Sequence, residues 1–510
     1  MYREREIKHK QDGACWIYAV EIENYGRKYE GSKFWTLNNI NLNICVFSYF
    51  IGEVLQMFEV WEIFRRAKTG ETMKERDFDM KLTRKVAESI KEYDIRFNKE
   101  EIITTDNSLV DDVYRAAIDL TLDIGVYVLD TQRIIKFDEN EIKEAVKTAP
   151  SQIIVGEGKD ARILKQRKVE DPSPPLIIGG DAGAPVDDEL YFKMALSYLK
   201  EPIIDIVDHA SIVKVHGINV ESGTFLEAYA ARREMKLIRE AARLTGRPGI
   251  HIIGGESSTT LMGDIAIMSQ EYLRPTDAHL IPVLNEMKTN YDNLGRVISS
   301  LEYGALNVGL PDPIIGGFAR GPEGVAIVHV AEFLMGRLVY FADYHIGHPV
   351  HMFLGSTSAP ECLWVISTIS QSVARNTNFI ITGNVWPSAG AGTEMIFDEI
   401  VANTLVATVT GAHPLGVTGT NGKLPHATGL ETRFMGEVAH AASKSKLKRE
   451  DANEVVLYYL RKYESKLKNP DLGKHFNELY DTKTLTPRKF WHEMYINAKK
   501  ELAEHGIEIT

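Results

Sequence analysis

The chain has 510 residues, 44% of them apolar and 25% charged, enough for one large core or two to three ordinary ones and too apolar for a disordered chain. A net charge of −12 excludes broad nucleic-acid binding, which needs a basic surface that displaces counterions. Cys15, Cys45 and Cys362 are too few and too scattered for a disulfide framework or a CxxC metal site, which fits a reducing cytoplasm.

The opening MYREREIKHK lacks the charged-then-apolar layout of a secretion signal. The longest apolar run, Asn43 to Phe58, is broken by Glu53 and short for a bilayer span, so no membrane attachment is expected. Residues 1–56 are rich in Asn, Tyr and Ile and show little periodicity. They read either as extra sequence upstream of a start at Met57 or as an N-terminal arm. From Met57 the pattern changes. MFEVWEIFRRAKTGE reads as an amphipathic helix ending at Gly70, and TRKVAESIKEYDIRF and SLVDDVYRAAIDLTLDIGV continue in the same period. Residues 57–170 are therefore expected to form a helical N-terminal region.

After Pro172 short apolar runs end in Gly, Asp, Ser or Asn and alternate with helix-length segments. The runs are PPLIIGGD (174–181), PIIDIVDHA (202–210), GIHIIGGE (249–256), HLIPVLNE (279–286), NVGLPDPIIGG (307–317), HPVHMFLGS (348–356), NFIITGNVW (378–386) and HPLGVTGTN (413–421). Their apolar positions do not alternate, as expected of strands covered on both faces. An open doubly wound sheet has the same local text; the count of eight favours an α/β TIM (β/α)8 barrel over 171–445. From 446 to 510 the text is helical again, with EDANEVVLYYLRKYESKL expected to pack over the barrel or to support assembly. The KSKLKRE run before it reads as a solvated face.

In such a barrel the working residues lie just past the strands' C-terminal ends. That places Asp181, Asp208, His209, Glu256, Ser257, Glu286, Asn384, Trp386, Thr418 and Asn421 at the mouth, although each alone reads equally as a loop cap. Strand alternation puts His251 and Ile253 on one face, His251 lying beneath as a hydrogen-bonded core residue if Ile253 faces the axis. His345, His348 and His351 invite a metal, but odd spacing on a strand sends His348 and His351 to opposite faces, so structural roles and no metal site are expected. GTNGK (419–423) is phosphate-loop-like only in composition. Lys288 and Lys423 are the lysines nearest strand ends, and no neighbour in the text activates either as an aldolase or lyase would need.

Longer stretches carry a resemblance. VLDTQRIIKFDENEIKEAV (128–146), GRPG (246–249), GESS (255–258), TDAHLIPVLNEMK (276–288), PIIGGFARG (313–321), GHPVHMFLGSTSAPE (347–361), SAGAGTEM (388–395) and TGLETRFMGEVA (428–439) resemble the monomethylamine methyltransferase family of methanogenic archaea. The resemblance implies a (β/α)8 barrel that moves a methyl group from an amine to the cobalt of a corrinoid (cobalamin-type) group on a separate protein. No cofactor would then be held permanently; the partners would be that corrinoid protein and a small methylated donor, and the chain would form a homo-oligomer.

In amine-specific members an in-frame amber codon is read as pyrrolysine, and on this alignment that position is Ile253. Two family carboxylates fall on Leu280 and Leu310, a glutamine on Asn384 and a tyrosine on Trp386. By that correspondence Ile253, Asn384 and Glu256 are the catalytic candidates, and Leu280, Leu310, Trp386, His251 and Glu361 the substrate-binding ones. With hydrocarbon at the three exchanged positions, the expected donor carries a leaving group that needs no protonation, such as a quaternary ammonium or sulfonium. Trp386 would face that cation or simply pack at the rim. Glu256 and Glu361, if buried, must be hydrogen-bonded or turned to solvent. The alternative is an inactive relative that binds a corrinoid protein without turnover.

Overall fold

Eight parallel strands, each followed by a helix, close into a barrel in simple chain order. In the computed structural model, which describes residues 59–509, the strands are β1 (Ile178–Gly179), β2 (Ile206–Asp208), β3 (His251–Ile253) and β4 (Ala278–Pro282), then β5 (Leu306–Leu310), β6 (Tyr344–Gly347), β7 (Ile381–Val385) and β8 (His413–Gly416), which pairs back to β1. The helices that follow them are α1 (Asp188–Leu199), α2 (Phe225–Leu244), α3 (Leu261–Ile267) and α4 (Tyr291–Tyr303), then α5 (Pro322–Tyr340), α6 (Pro360–Asn376), α7 (Glu394–Thr410) and α8 (Gly429–Lys444). The expected TIM barrel is therefore present. The expectations for residues 1–56, the start at Met57 included, lie outside the described residues.

Local chemistry starts each helix where the chain leaves the barrel. Asn290 and Thr393 accept backbone N–H groups as caps of α4 and α7, and Thr428 forms a capping box with Glu431 at α8. Proline opens α5 and α6, where a missing N–H costs no hydrogen bond. Helix α7 is buried from Met395 to Thr410 because a second shell covers it. The helix Arg449–Tyr463 packs along it, and Trp491 of the helix Lys489–Glu504 stacks on Phe397 at 4.8 Å. The C-terminal tail thus packs over the barrel's outside. On another flank the helix Asn107–Ile124 lies across α5 and α6.

Two expectations change. The N-terminal region is not purely helical: Val126–Val128 and Arg133–Ile135 form an antiparallel pair, and Gln152–Val155 pairs with Arg162–Lys165 as a hairpin. That hairpin seals the bottom of the barrel. Gly156 N–H donates to Thr276 and Glu157 N–H to Gly249, both just before barrel strands, and Val155 and Leu164 join the interior cluster of Ile178, Ile206, Ile253 and Val308. The run 348–356 is not a barrel strand either. β6 ends at Gly347, and Val350–His351 pairs instead with Ile314–Ile315 in a two-stranded ladder outside the barrel sheet. Pro349, with no N–H, cannot extend a central strand.

Candidate active site at the barrel mouth

Ile253 closes β3 opposite Asp208 of β2 and Ala278 of β4. Residues in register on parallel strands face the same way, and Ile253 and Ala278 belong to the barrel's interior cluster. Leu280, Leu310 and Trp386 pack against that same cluster. The structure thus brings these four positions together. Ile253 is fully enclosed, while Leu280, Leu310 and Trp386 are half-buried and stand nearer solvent. Just past Ile253 the chain turns at Gly254 with φ +65°, where a Cβ would lie 3.2 Å from both Leu280 Cβ and Glu256 Oε1. Only glycine suits this tight left-handed turn.

The interior is not all hydrocarbon. Asp208 lies two residues after Ile206, which belongs to the interior cluster, so its carboxylate shares that face beside Ile253. Gly180 brings β1 so close that a Cβ there would strike the Asp208 carbonyl. Asp208 and Glu256 are near enough for each to act on the other's ionisation. Neither Asp208 Oδ1 nor Glu256 Oε1 has a donor elsewhere in the protein, and no lysine or arginine ion-pairs with either among the described residues. Burial raises both carboxyls above their ordinary range; nearby Asp181 adds to the rise at Asp208, and Asp208 and Glu234 add to it at Glu256. Two neighbouring carboxyls in one buried site cannot both ionise cheaply.

Most of the other mouth residues are tied down, but both carboxyl oxygens of Asp181 are buried without a donor. Burial pushes Asp181 up to about 7 and His209 down to about 4. Glu234 of α2 accepts from the Ile212 and Ser257 N–H groups and from the Ser257 hydroxyl, behind the strand ends. Glu286 accepts the Ile314 N–H at 3.1 Å, Thr418 donates to the Ala182 carbonyl at 3.2 Å, and the Asn421 amide donates to Leu354 at 2.8 Å. These four are turn and loop fasteners. His251 is held at both ring nitrogens, 2.6 Å from the Thr276 carbonyl and 3.0 Å from the Tyr344 hydroxyl. Glu361 sits in the first turn of α6, close enough to act on Lys99 of the N-terminal region.

On the interior face of β7, Asn384 sits in register with Leu415, is 5% exposed, and leaves its Oδ1 without a donor. Two residues on, the Trp386 ring lies 4.9 Å from His348 and against Gly422. The three histidines have different partners. His345 turns outward between Phe333 and Phe379, His348 approaches Asp312 at 3.2 Å, and His351 accepts the Phe353 and Leu354 N–H groups. The GTNGK turn serves to buttress Trp386. Lys288 is ion-paired to Asp79 at 2.8 Å and Glu75 at 2.9 Å. Burial works against its charge, but the two carboxylates outweigh it and raise the lysine, which is the opposite of what a Schiff-base lysine needs.

Sequence reasoning placed both Asp208 and Glu256 at the mouth but not their contact. The signal was available in part: in PIIDIVDHA, alternation from Ile206 already turns Asp208 inward.

Comparison with known proteins gives these features a context. Residues 58–507 match the sequence profile of the family described as monomethylamine methyltransferase MtmB. The chain belongs to the MtmB family. Monomethylamine methyltransferase MtmB2 of Methanosarcina acetivorans is 31% identical over 453 residues, covering 88% of this chain and 98% of the relative. MtmB1 of Methanosarcina barkeri and MtmB of Methanosarcina mazei show the same identity and coverage. The crystal structure of the Methanosarcina barkeri MtmB superimposes with a TM-score of 0.85 at 30% identity, over 88% of this chain and 98% of that one, as does a hydroxylamine complex of MtmB. The stretch matched to MtmB spans the whole barrel and both flanking helical regions.

Proposed function

We propose that this chain is a methyltransferase that moves a methyl group from a methylated amine or related donor to the cobalt of a corrinoid carried by a separate protein. The observation that carries this is likeness to MtmB proteins over nearly their full length, in sequence and in fold. The corrinoid is a co-substrate brought to the mouth, so the chain itself keeps no permanent cofactor. Among the described residues no helix is long and apolar enough to cross a membrane, which agrees with a cytoplasmic enzyme; a homo-oligomer fits the family likeness.

Reduced cobalt is a strong nucleophile toward a methyl carbon, so the protein's task is to hold donor and acceptor in line and keep water out. Ile253 and the half-buried Leu280 and Leu310 supply the dry wall. Glu256 and Asn384 front the donor's leaving group, with the Trp386 ring at the rim and His251 fixing Tyr344 beneath. Around the mouth, Phe318, Met352, Phe353 (84% exposed) and Leu424 lie open on the loops after β5, β6 and β8. Apolar side chains left in water beside a site suit a protein partner.

A screen of methylated amines, sulfonium compounds and methoxy compounds against a reduced corrinoid protein tests this, read by the spectral change from cobalt(I) to methyl-cobalt(III). Methylation by at least one donor is expected. Silence across all of them, with the corrinoid protein still co-purifying, points to the inactive-relative alternative.

A further inference from the structure

The flank of the barrel that follows β2 and β3 leaves large apolar side chains in water. After β2 the chain makes a hairpin of Ser211–Val215 and Ile218–Asn219, and α2 and α3 come next. Val213 and Ile218 of the hairpin, Phe225 and Tyr229 of α2, and Met262 and Ile265 of α3 are all 40–79% exposed. Phe225, the first residue of α2, is the most open of the six.

Local geometry joins these residues into one surface. Tyr229 follows Phe225 by four residues and Ile265 follows Met262 by three, so each pair shares a helix face. On one side of α2 the Tyr229 ring lies 6.4 Å from His216 in the hairpin turn, two residues from Ile218. On the other side α2 is fastened to α3. The Thr260 N–H donates to Glu227 at 2.6 Å, and Arg232 Nε donates to the Ala266 carbonyl at 2.9 Å. Ile218–Asn219 is also the edge of its three-stranded sheet, and an open edge is ordinarily covered.

The size and charge of this surface indicate what covers it. Exposures of this order on six such side chains leave on the order of 600 Å² open, the upper end for one patch on a monomer. A standard interface takes about 800 Å² from each partner, which this centre and its polar border together supply. Aromatic residues and Met are the types enriched in interface cores. At the border Lys214, Glu221 and Arg232 are exposed, and none of them forms an ion pair among the described residues. A border of one sign would repel its own copy; a mixed border does not.

We infer that this flank is a two-fold interface between copies of this chain, with Phe225 at its centre. A two-fold contact sets the same patch of each copy against the other. Barrel order places the flank across the ring from β6, away from the exposed apolar loops after β5, β6 and β8. The interface therefore does not use those loops, and it stands whether or not the chain transfers methyl groups.

The test is sedimentation velocity of the full-length protein over a range of micromolar concentrations. Wild type is expected to sediment as an assembly with an even number of chains. Phe225→Glu and Ile265→Glu replace exposed side chains, so both should fold, as checked by far-ultraviolet circular dichroism. Each should halve the assembly's mass or weaken association at least hundredfold. Ile154→Glu, an equally exposed position on the bottom hairpin, should leave the mass unchanged. A monomeric wild type, or an unaltered mass in both folded flank variants, overturns the interface. Equal dissociation by Ile154→Glu overturns it too, since any added surface charge would then suffice. So does a monomeric wild type whose co-purification with a corrinoid protein is lost in Phe225→Glu, because the flank then belongs to that partner.

Discussion

The His251 imidazole reaches across the barrel interior, from β3 to β6, and meets the Tyr344 hydroxyl 3.0 Å from its Nε2. Its Nδ1 faces the Thr276 carbonyl, which can only accept, so Nδ1 carries the proton and Nε2 accepts from tyrosine. Burial depresses this histidine to about 4, so the ring is neutral in the folded protein at neutral pH. Tyr344→Phe should strand Nε2 and cost about 1–3 kcal/mol in urea denaturation at pH 7. An unchanged midpoint would show that the bond carries no stability.

The same histidine fixes a direction of pH dependence. Its folded value lies below the unfolded one near 6.5, so its stabilising contribution is complete above that pH and is lost as pH falls toward about 4. His413 and His345, each lowered by burial to about 3, act in the same sense. Unfolding free energy measured from pH 7 down to pH 4 should therefore decline, and His251→Asn should make the decline shallower. A slope unaltered by that substitution removes His251 from the account.

The carboxyls beside Ile253 pull the other way. Burial raises Asp208 and Glu256 above their unfolded values, so any contribution they make is present below about pH 4 and lost as pH rises toward neutrality. Asp208→Asn removes the ionisation and should raise thermal stability at pH 8 relative to wild type, with a smaller gain at pH 5. Each unit of upward shift is worth on the order of 1.4 kcal/mol. Equal differences at the two pH values would mean that the pair does not ionise in place.

Gly422 is a packing requirement. Its φ is +64°, and a Cβ there would stand 2.2 Å from the Trp386 ring. Gly422→Ala should cost more than about 1 kcal/mol, since the backbone is strained and the ring must move. A shift in tryptophan fluorescence should accompany the lower melting temperature. If neither changes, the GTNGK turn does not pin Trp386.

Lys288 ties the barrel to the N-terminal helix Glu75–Glu92 through Asp79 and Glu75. Lys288→Met leaves two carboxylates beside a partly buried gap and should cost about 3–5 kcal/mol. Wild-type protein treated with borohydride and simple aldehydes or ketones should show no covalent adduct at Lys288 by peptide mass spectrometry. An adduct there would revive a lyase-type reading.

These predictions divide along what the text of the chain could reveal. The barrel was legible because strands such as Ile381–Val385 are buried throughout, so their text does not alternate between apolar and polar positions. The bottom hairpin was not, because Ile154 and Ile163 face solvent and blur its pattern. The run NVGLPDPIIGG looked like one strand, yet it splits into β5 and the outlying Ile314–Ile315 pair. At the site, Ile253, Leu280, Leu310 and Trp386 could be placed by strand position alone. The meeting of Asp208 with Glu256 depends on how β2 sits against β3, a relation between segments more than forty residues apart that no local pattern carries.

The sealed floor of the barrel has a kinetic meaning. A vessel stoppered by Val155 and Leu164 has one doorway, so a small molecule that reaches Ile253 must leave as it arrived. A protein seated over that doorway would imprison whatever lay within and shut out whatever did not. Under the function proposed above, turnover would have a compulsory sequence, the small donor first and the large acceptor second, with the demethylated product waiting for the acceptor's departure.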